Sequence, residues 1–196
     1  VIFASSSSVY GNQSNVPFSE ADPVNEPISP YAATKKAGEM LCHTYAHLYK
    51  IKTTCLRFFT VYGPKGRPDM APYLFTKALL EHKPITRFGE GNTRRDYTYI
   101  DDIVAGILKA IENPFDFEII NLGNNKPVTL NEFIQTLEDA TGEKANLMTL
   151  PIQPGDVEQT YADIEKAKRL LGWEPKTSLK DGLTKFVSWY KKNRLK

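Results

Sequence analysis

Cysteine is scarce in this chain. Cys42 and Cys55 are the only two, too few for the disulfide framework of a small secreted domain. Both fall inside apolar patterns, which points to a reducing, cytoplasmic setting. An excess of charge is missing as well: 25 lysines and arginines against 23 acidic residues leave a formal net charge of +2. The broad basic field of a nucleic-acid or membrane-surface binder is therefore absent. The basic tail KKNRLK reads instead as a helix end, where cations oppose the negative end of the dipole. No apolar stretch approaches the roughly 20 residues that a transmembrane helix needs, and there is no signal-peptide pattern. Methionine is absent from position 1. The chain opens at Val1 inside a buried-strand pattern, and is expected to be the C-terminal portion of something longer.

What is present suits a globular α/β protein. Of the 196 residues, 41% are apolar, enough for one domain or a domain with a lobe. Val1 to Ala4 read as the end of a strand, and residues 11 to 29, with three prolines, as a loop. Ser29-Pro30 marks a helix start, a cap residue followed by a proline in the first turn. From Tyr31 to about Lys50 the spacing is helical with three faces. Tyr31, Lys35, Gly38, Cys42, Tyr45 and Tyr49 form one stripe, and Ala33, Ala37, Met40, Leu41, Thr44 and Leu48 a second, apolar one. Lys36, Glu39, His43, His47 and Lys50 are expected on the wet side. Two non-polar faces predict two packing partners, the sheet and a neighbouring subunit.

Thr53 to Phe59 reads as a buried strand, and Gly63 to Pro68 as a loop. Helical patterns follow at 71–82, 101–112, 129–141 with a Thr129/Glu132 capping box, 163–171 and 178–194. Short strands are expected at 85–88, 97–100, 117–122 and 145–150. Strands alternating with helices argue for a parallel sheet.

Tyr31-Ala-Ala-Thr-Lys35 sets a phenol and an ammonium one helical turn apart. A phenol, with a pKa of about 10, is a poor base at neutral pH, and bringing it to about 7 takes roughly 4 kcal/mol. A lysine charge at about 4 Å supplies roughly that at an effective dielectric near 20. Tyr73-Leu-Phe-Thr-Lys77 repeats the spacing, so context must separate the two. Tyr31 follows a strand ending in four serines, and a serine there can share the proton a tyrosine exchanges with an alcohol. Nothing comparable precedes Tyr73, which reads as one turn of an amphipathic helix. His43 and His47 stand at i, i+4 without a third ligand, and read as a solvated face rather than a zinc site. Asp101-Asp102 read as a cap for the helix that follows, and Arg94 as surface charge.

Six segments, ASSSSVYG, SPYAATKKAGE, LRFFTVYGPKGRPDMA, RRDYTYIDDI, INLGN and ADIEKAKRLLGWEPKTSL, occur in this order. Together they resemble the nucleotide-sugar epimerase/dehydratase branch of the extended short-chain dehydrogenases, and within it most closely the UDP-glucuronate 4-epimerases. The resemblance runs from Val1 to about Leu183. It implies the C-terminal part of a Rossmann-like doubly wound parallel sheet with a smaller mixed α/β lobe. Residues 1–68 would be the second half of the NAD-binding domain. Residues 69–196 would be mainly the nucleotide-sugar lobe, with a strand near 117–122 returning to the main sheet. The family's glycine-rich turn is not formed by any of the twelve glycines, so this fragment alone is expected to be inactive.

The resemblance implies a catalytic Ser6, Tyr31 and Lys35. Tyr31 would be the base, Lys35 would bind the nicotinamide ribose and acidify the phenol, and Ser6 would bond the reacting sugar oxygen. Ala4, Ser5, Phe59 and Val61 would lie along the NAD cofactor. Thr60 would face the sugar, and Ser7, Ser8 and Arg67 would hold its carboxylate. Thr86 to Phe88 would cradle the uracil, Arg95 would bind the pyrophosphate, and Asp156 would lie near a ribose. A homodimer through the helix at 31–50 is also implied. Dehydratases of this branch carry an Asp-Glu pair where this chain has Ser7-Ser8, and UDP-xylose-forming decarboxylases place a glutamate in the same turn. With hydroxyls alone, the expected reaction is 4-epimerisation of UDP-glucuronate to UDP-galacturonate through a 4-keto sugar. UDP-glucose or UDP-N-acetylglucosamine epimerisation, and non-catalytic nucleotide binding, stay open as alternatives. Gln153 stands where glucose-acting relatives often carry an arginine.

Overall fold

The computed structural model describes residues 1–151 and 159–195. The N-terminal part forms β1 (Ile2–Ser6), a 3-10 turn (Ser7–Tyr10), α1 (Pro30–Tyr49), β2 (Thr53–Phe58) and β3 (Thr60–Tyr62). Then come α2 (Ala71–Leu80), β4 (Ile85–Phe88), β5 (Arg94–Arg95), β6 (Tyr97–Tyr99) and α3 (Ile100–Glu112). The remainder comprises β7 (Phe117–Leu122), β8 (Val128–Thr129), α4 (Leu130–Thr141), β9 (Leu147–Leu150), α5 (Glu165–Leu171) and α6 (Leu179–Arg194).

The main sheet is parallel, in the order β1-β2-β7. Its registers run from Ile2 opposite Thr54 to Ser6 opposite Phe58, and from Thr53 opposite Phe117 to Phe58 opposite Leu122. The α/β class expected from the alternation is the one observed. Strand β1 extends two residues past Ala4 because its ladder with β2 continues through Ser5 and Ser6. The four serines thus divide, two in the strand and two in the 3-10 turn. Ser29 caps α1, its Oγ accepting from the Ala32 N–H at 3.1 Å. The capping box at Thr129 and Glu132 is present in both directions.

Two apolar clusters carry the packing. One joins the sheet to α3 and α5 through Leu56, Ile120, Leu122, Ile103, Ala167 and Trp173. The other joins Tyr62, Ile85, Tyr97, Phe133, Leu137 and Leu183 around α2, α4 and α6. Three short strands escaped the sequence reading. Strand β3 pairs in parallel with β6, and β5 antiparallel with β8; two or three residues are too few to show a period.

The faces of α1 differ from expectation. Glu39, assigned to the wet side, is 2% exposed, and Ala32 and Ala46 are the other buried positions. The cause is Arg57 of β2, 1% exposed, which faces α1 and requires a buried counter-charge. Met40, Leu41, Leu48 and the tyrosines 31, 45 and 49 stay exposed. His43 is exposed and sets its ring edge-on against Phe117 at 4.9 Å. Asp101 and Asp102 do not cap α3 by side-chain hydrogen bonds; Tyr99 is the N-cap and makes none. They sit in the first turn, where negative charge suits the dipole. Asp102 is buried and accepts from the Thr177 N–H at 2.9 Å, while its carbonyl accepts from Trp173 Nε1.

Candidate active site

The helix cap at Ser29 puts Tyr31 in the first turn of α1 and Lys35 one turn later, both toward the C-terminal end of β1. Lys35 Nζ donates to the Ala4 carbonyl at 2.8 Å and stands 5.5 Å from the Tyr31 ring centroid. That bond ties the helix ammonium to the strand carrying the serines. Ser6 ends the strand and caps the 3-10 turn, its Oγ accepting from the Ser8 N–H at 3.2 Å.

A cavity of about 740 Å³ opens there. Its walls contain Ala4, Ser5, Ser6, Ser7, Tyr31, Lys35, Phe59, Thr60, Val61 and Arg67, ten of the positions singled out from the sequence. Thr60 is anchored by its N–H to the Asp96 carbonyl at 3.1 Å, and Phe59 by its N–H to Leu122. Ser8 is not on the wall: its hydroxyl donates to Ser6 Oγ at 2.9 Å. Arg67 is exposed and forks onto Asp69, with Nε donating to Oδ1 at 3.1 Å. Asp69, then the Tyr31 phenol, hold the Arg67 guanidinium above its ordinary pKa.

A second cavity, about 590 Å³, gathers Thr86, Phe88 and Arg95 with Leu74, Lys77 and Tyr97. Helix α2 divides the two: Pro72 and Tyr73 face the first cavity, and Leu74, Phe75 and Lys77 the second. The repeated spacing is thereby resolved. Tyr31 and Lys35 converge on one cavity, whereas Tyr73 and Lys77 face different ones. Tyr73 packs against Tyr190 with ring centroids 5.0 Å apart. Asp156 and Gln153 lie outside the described residues.

Two buried carboxylates behind the site were not recognised from the sequence. Glu39 accepts from Ser5 Oγ at 2.6 Å and from Arg57 Nε and Nη2 at 2.8 and 2.9 Å. Arg57 also lies over the Tyr10 ring, 4.8 Å from its centroid, and the Tyr10 hydroxyl donates to Asn121 at 2.8 Å. Asp96, next to Arg95, accepts from the N–H groups of Asn124, Asn125 and Ala162 at 2.6 to 3.0 Å. Burial raises its carboxyl to about 6 against the lowering effect of those bonds. It knots the segment carrying Arg95 to the end of the main sheet. Among the described residues no group of three His, Cys, Asp or Glu side chains could hold a metal ion, and no helix is long and apolar enough to cross a membrane.

A Tyr-x-x-x-Lys helix laid on a parallel sheet beside a strand-end serine is the arrangement of the extended short-chain dehydrogenases. The chain belongs to the GDP-mannose 4,6 dehydratase family, whose model matches residues 1–186. It is 49% identical over 194 residues to the UDP-glucuronate 4-epimerase of Thermodesulfobacterium geofontis, covering 98% of this chain and 59% of that one. The crystal structure of UDP-glucuronic acid 4-epimerase from Bacillus cereus, in complex with UDP-glucuronic acid and NAD, superposes with a TM-score of 0.90 at 42% identity. The match covers 97% of this chain and 61% of the other. UDP-glucose 4-epimerase from Thermotoga maritima, with UDP-glucose, gives 0.92 at 36% identity over 97% and 63%. The chain thus spans about three fifths of the length of these relatives.

Proposed function

We propose that this chain is the catalytic and sugar-binding portion of an NAD-dependent UDP-sugar 4-epimerase acting on UDP-glucuronate. The observation that carries this reading is the convergence of Ser6, Tyr31, Lys35, Thr60 and Arg67 on one cavity, with serines alone at positions 7 and 8. The relatives named UDP-glucuronate 4-epimerase point the same way, while the UDP-glucose 4-epimerase makes UDP-glucose the competing sugar. The first 68 residues would serve the NAD side and the remainder mainly the nucleotide sugar.

The residues present fit the cofactor. Phe59 and Val61 supply an apolar wall for a flat ring, and Lys35 a cation for ribose hydroxyls, beside Ala4 and Ser5. NAD, when bound there, supplies the acceptor for the sugar C4 hydride and returns it. Tyr31 Oη takes the proton of the sugar 4-hydroxyl and gives it back, acting as general base and then general acid. Lys35 stabilises the phenolate by its charge. Ser6 donates to the same sugar oxygen, and the bonds it receives from Ser8 leave its own proton for that purpose. In the second cavity Thr86 and Phe88 cradle the uracil and Arg95 meets the pyrophosphate; Asp156, outside the described residues, is assigned to a ribose.

The 4-keto form of a glucuronate is a β-keto acid prone to losing carbon dioxide. Ser7, Thr60 and Arg67 hold its carboxylate, with Ser8 behind Ser6, and so resist the alignment that loss requires. Arg67 must exchange Asp69 for the substrate, and because that ion pair is solvent-exposed it is weak enough to give way. The keto sugar then turns over and regains hydride on the opposite face. Incubating the full-length protein with NAD and UDP-glucuronate, and reading the anomeric protons by NMR, tests this: UDP-galacturonate supports it and UDP-xylose as main product refutes it. UDP-glucose and UDP-N-acetylglucosamine are the comparison substrates. We also assign a homodimer to the exposed side of α1, where Met40, Leu41, Tyr45, Leu48 and Tyr49 lie open.

A further inference from the structure

We propose that Cys42 and Cys55 are a thiol-modification site, a dithiol that a peroxide converts into a disulfide linking α1 to β2. The ladder register carries the argument. Directly paired residues of a parallel ladder point to the same face, and so do residues two apart on one strand. Phe3 pairs with Cys55, and Ser5 with Arg57. Ser5 and Arg57 both bond Glu39 of α1, and the Phe3 ring lies under Gly38, where an added Cβ would sit 2.2 Å from its Cζ. The Cys55 side chain therefore faces α1.

Cys42 is one turn beyond Gly38 and Glu39 on that helix, as Cys55 is two residues before Arg57 on the antiparallel-running strand. His43, its neighbour, already touches Phe117, which pairs with Thr53. Cys42 is thus bracketed over Cys55, one turn along α1 from the Glu39 that bonds Ser5 and Arg57. Gly38 lets the helix approach the sheet closely. Burial first, then the neighbouring Cys42 thiol, push the Cys55 thiol well above its ordinary pKa. Cys42 is half-buried and Cys55 fully buried, which orders the chemistry.

The Cys42 thiolate attacks one peroxide oxygen, the O–O bond breaks, and the departing hydroxide takes a proton, leaving a sulfenic acid and water. The Cys55 sulfur then attacks the sulfenyl sulfur. The S–S bond forms as S–O breaks, and the Cys55 proton leaves with the hydroxide as a second water. Two thiols are oxidised by two electrons and one peroxide is reduced.

The test treats the full-length native protein with hydrogen peroxide and maps tryptic peptides 37–50 and 53–57 without reduction. The expected result is a single cross-linked species lighter by two hydrogens, restored to free peptides by dithiothreitol. Cys55→Ser should instead leave a dimedone-trappable sulfenic acid on Cys42. Recovery of 53–57 with a free thiol, whether Cys42 is untouched, over-oxidised or joined to another thiol, would overturn the proposal. No turnover is measured, so this outcome is independent of the epimerase reading.

Discussion

Glu39 and Arg57 lie face to face inside the protein, two N–H groups of the guanidinium donating to the two carboxylate oxygens at 2.8 and 2.9 Å. Ser5 adds a third bond, so α1, β1 and β2 are fastened at one point directly behind the strand-end serines. Removing one partner leaves an uncompensated buried charge. Arg57→Met is expected to lose about 3–5 kcal/mol of stability, read as a lowered urea midpoint. A loss below about 1 kcal/mol would show that the pair is solvated in solution.

The same pair sets a pH dependence. Burial would raise the Glu39 carboxyl, but the Arg57 hydrogen bonds and charge, with Ser5 and Lys36, outweigh it and hold its pKa below the ordinary value. A depressed carboxylate contributes stability that is complete above the unfolded pKa, about 4.3, and is lost as pH falls through the folded one. Urea midpoints measured from pH 7 down to 3 should drop below about pH 4. Glu39→Gln should flatten that fall while being less stable at pH 7. An unchanged slope in the variant would remove Glu39 from the account.

Gly38 is a place where helix propensity and packing compete. Alanine in a helix interior is favoured over glycine by about 1 kcal/mol, yet a Cβ there meets the Phe3 ring at 2.2 Å. Overpacking of that kind costs about 1–3 kcal/mol, and the ring is wedged between sheet and helix. Gly38→Ala is therefore expected to be neutral to destabilising in thermal melts. A clear gain in melting temperature would mean that Phe3 has room to move.

Leu41 and Leu48, each 61% exposed, stand on the open side of α1. If that side pairs with a second copy, Leu41→Glu with Leu48→Glu puts charges into the interface and yields a monomer in sedimentation at concentrations where the parent is a dimer. A parent that is itself monomeric contradicts the assignment.

The two tyrosines distinguish the mechanism from a coincidence of spacing. Tyr31→Phe removes the proton acceptor and should lower turnover by about 10²-fold or more with little change in melting temperature. Tyr73→Phe keeps its packing on Tyr190 and should cost little. Equal losses would mean that the wrong phenol was chosen.

Much of the scaffold was legible because the relevant signals are local. Ser29-Pro30, the Thr129/Glu132 box, and the strands at 85–88 and 117–122 all lie where cap and alternation signals put them. The wall of the first cavity was legible through the ordered motifs, since the residues of ASSSSVYG and LRFFTVYG come together only when β1 and β2 pair. Glu39 was not legible. On the helix it sits among Lys36 and His43, and only the long-range approach of Arg57 turns that polar stripe inward. Asp96 was hidden for the same reason, its partners lying some 28 to 66 positions away. Ser8 shows the limit at short range: two neighbouring hydroxyls with one motif assignment take different directions, one to the cavity wall and one to its neighbour.

In the proposed reaction hydride leaves C4 and returns to the other face of the same carbon. UDP-glucuronate deuterated at C4, given to the full-length protein with NAD, should become UDP-galacturonate that retains the label at C4. Loss of the label to solvent during epimerisation, or its appearance mainly in UDP-xylose, would contradict the account.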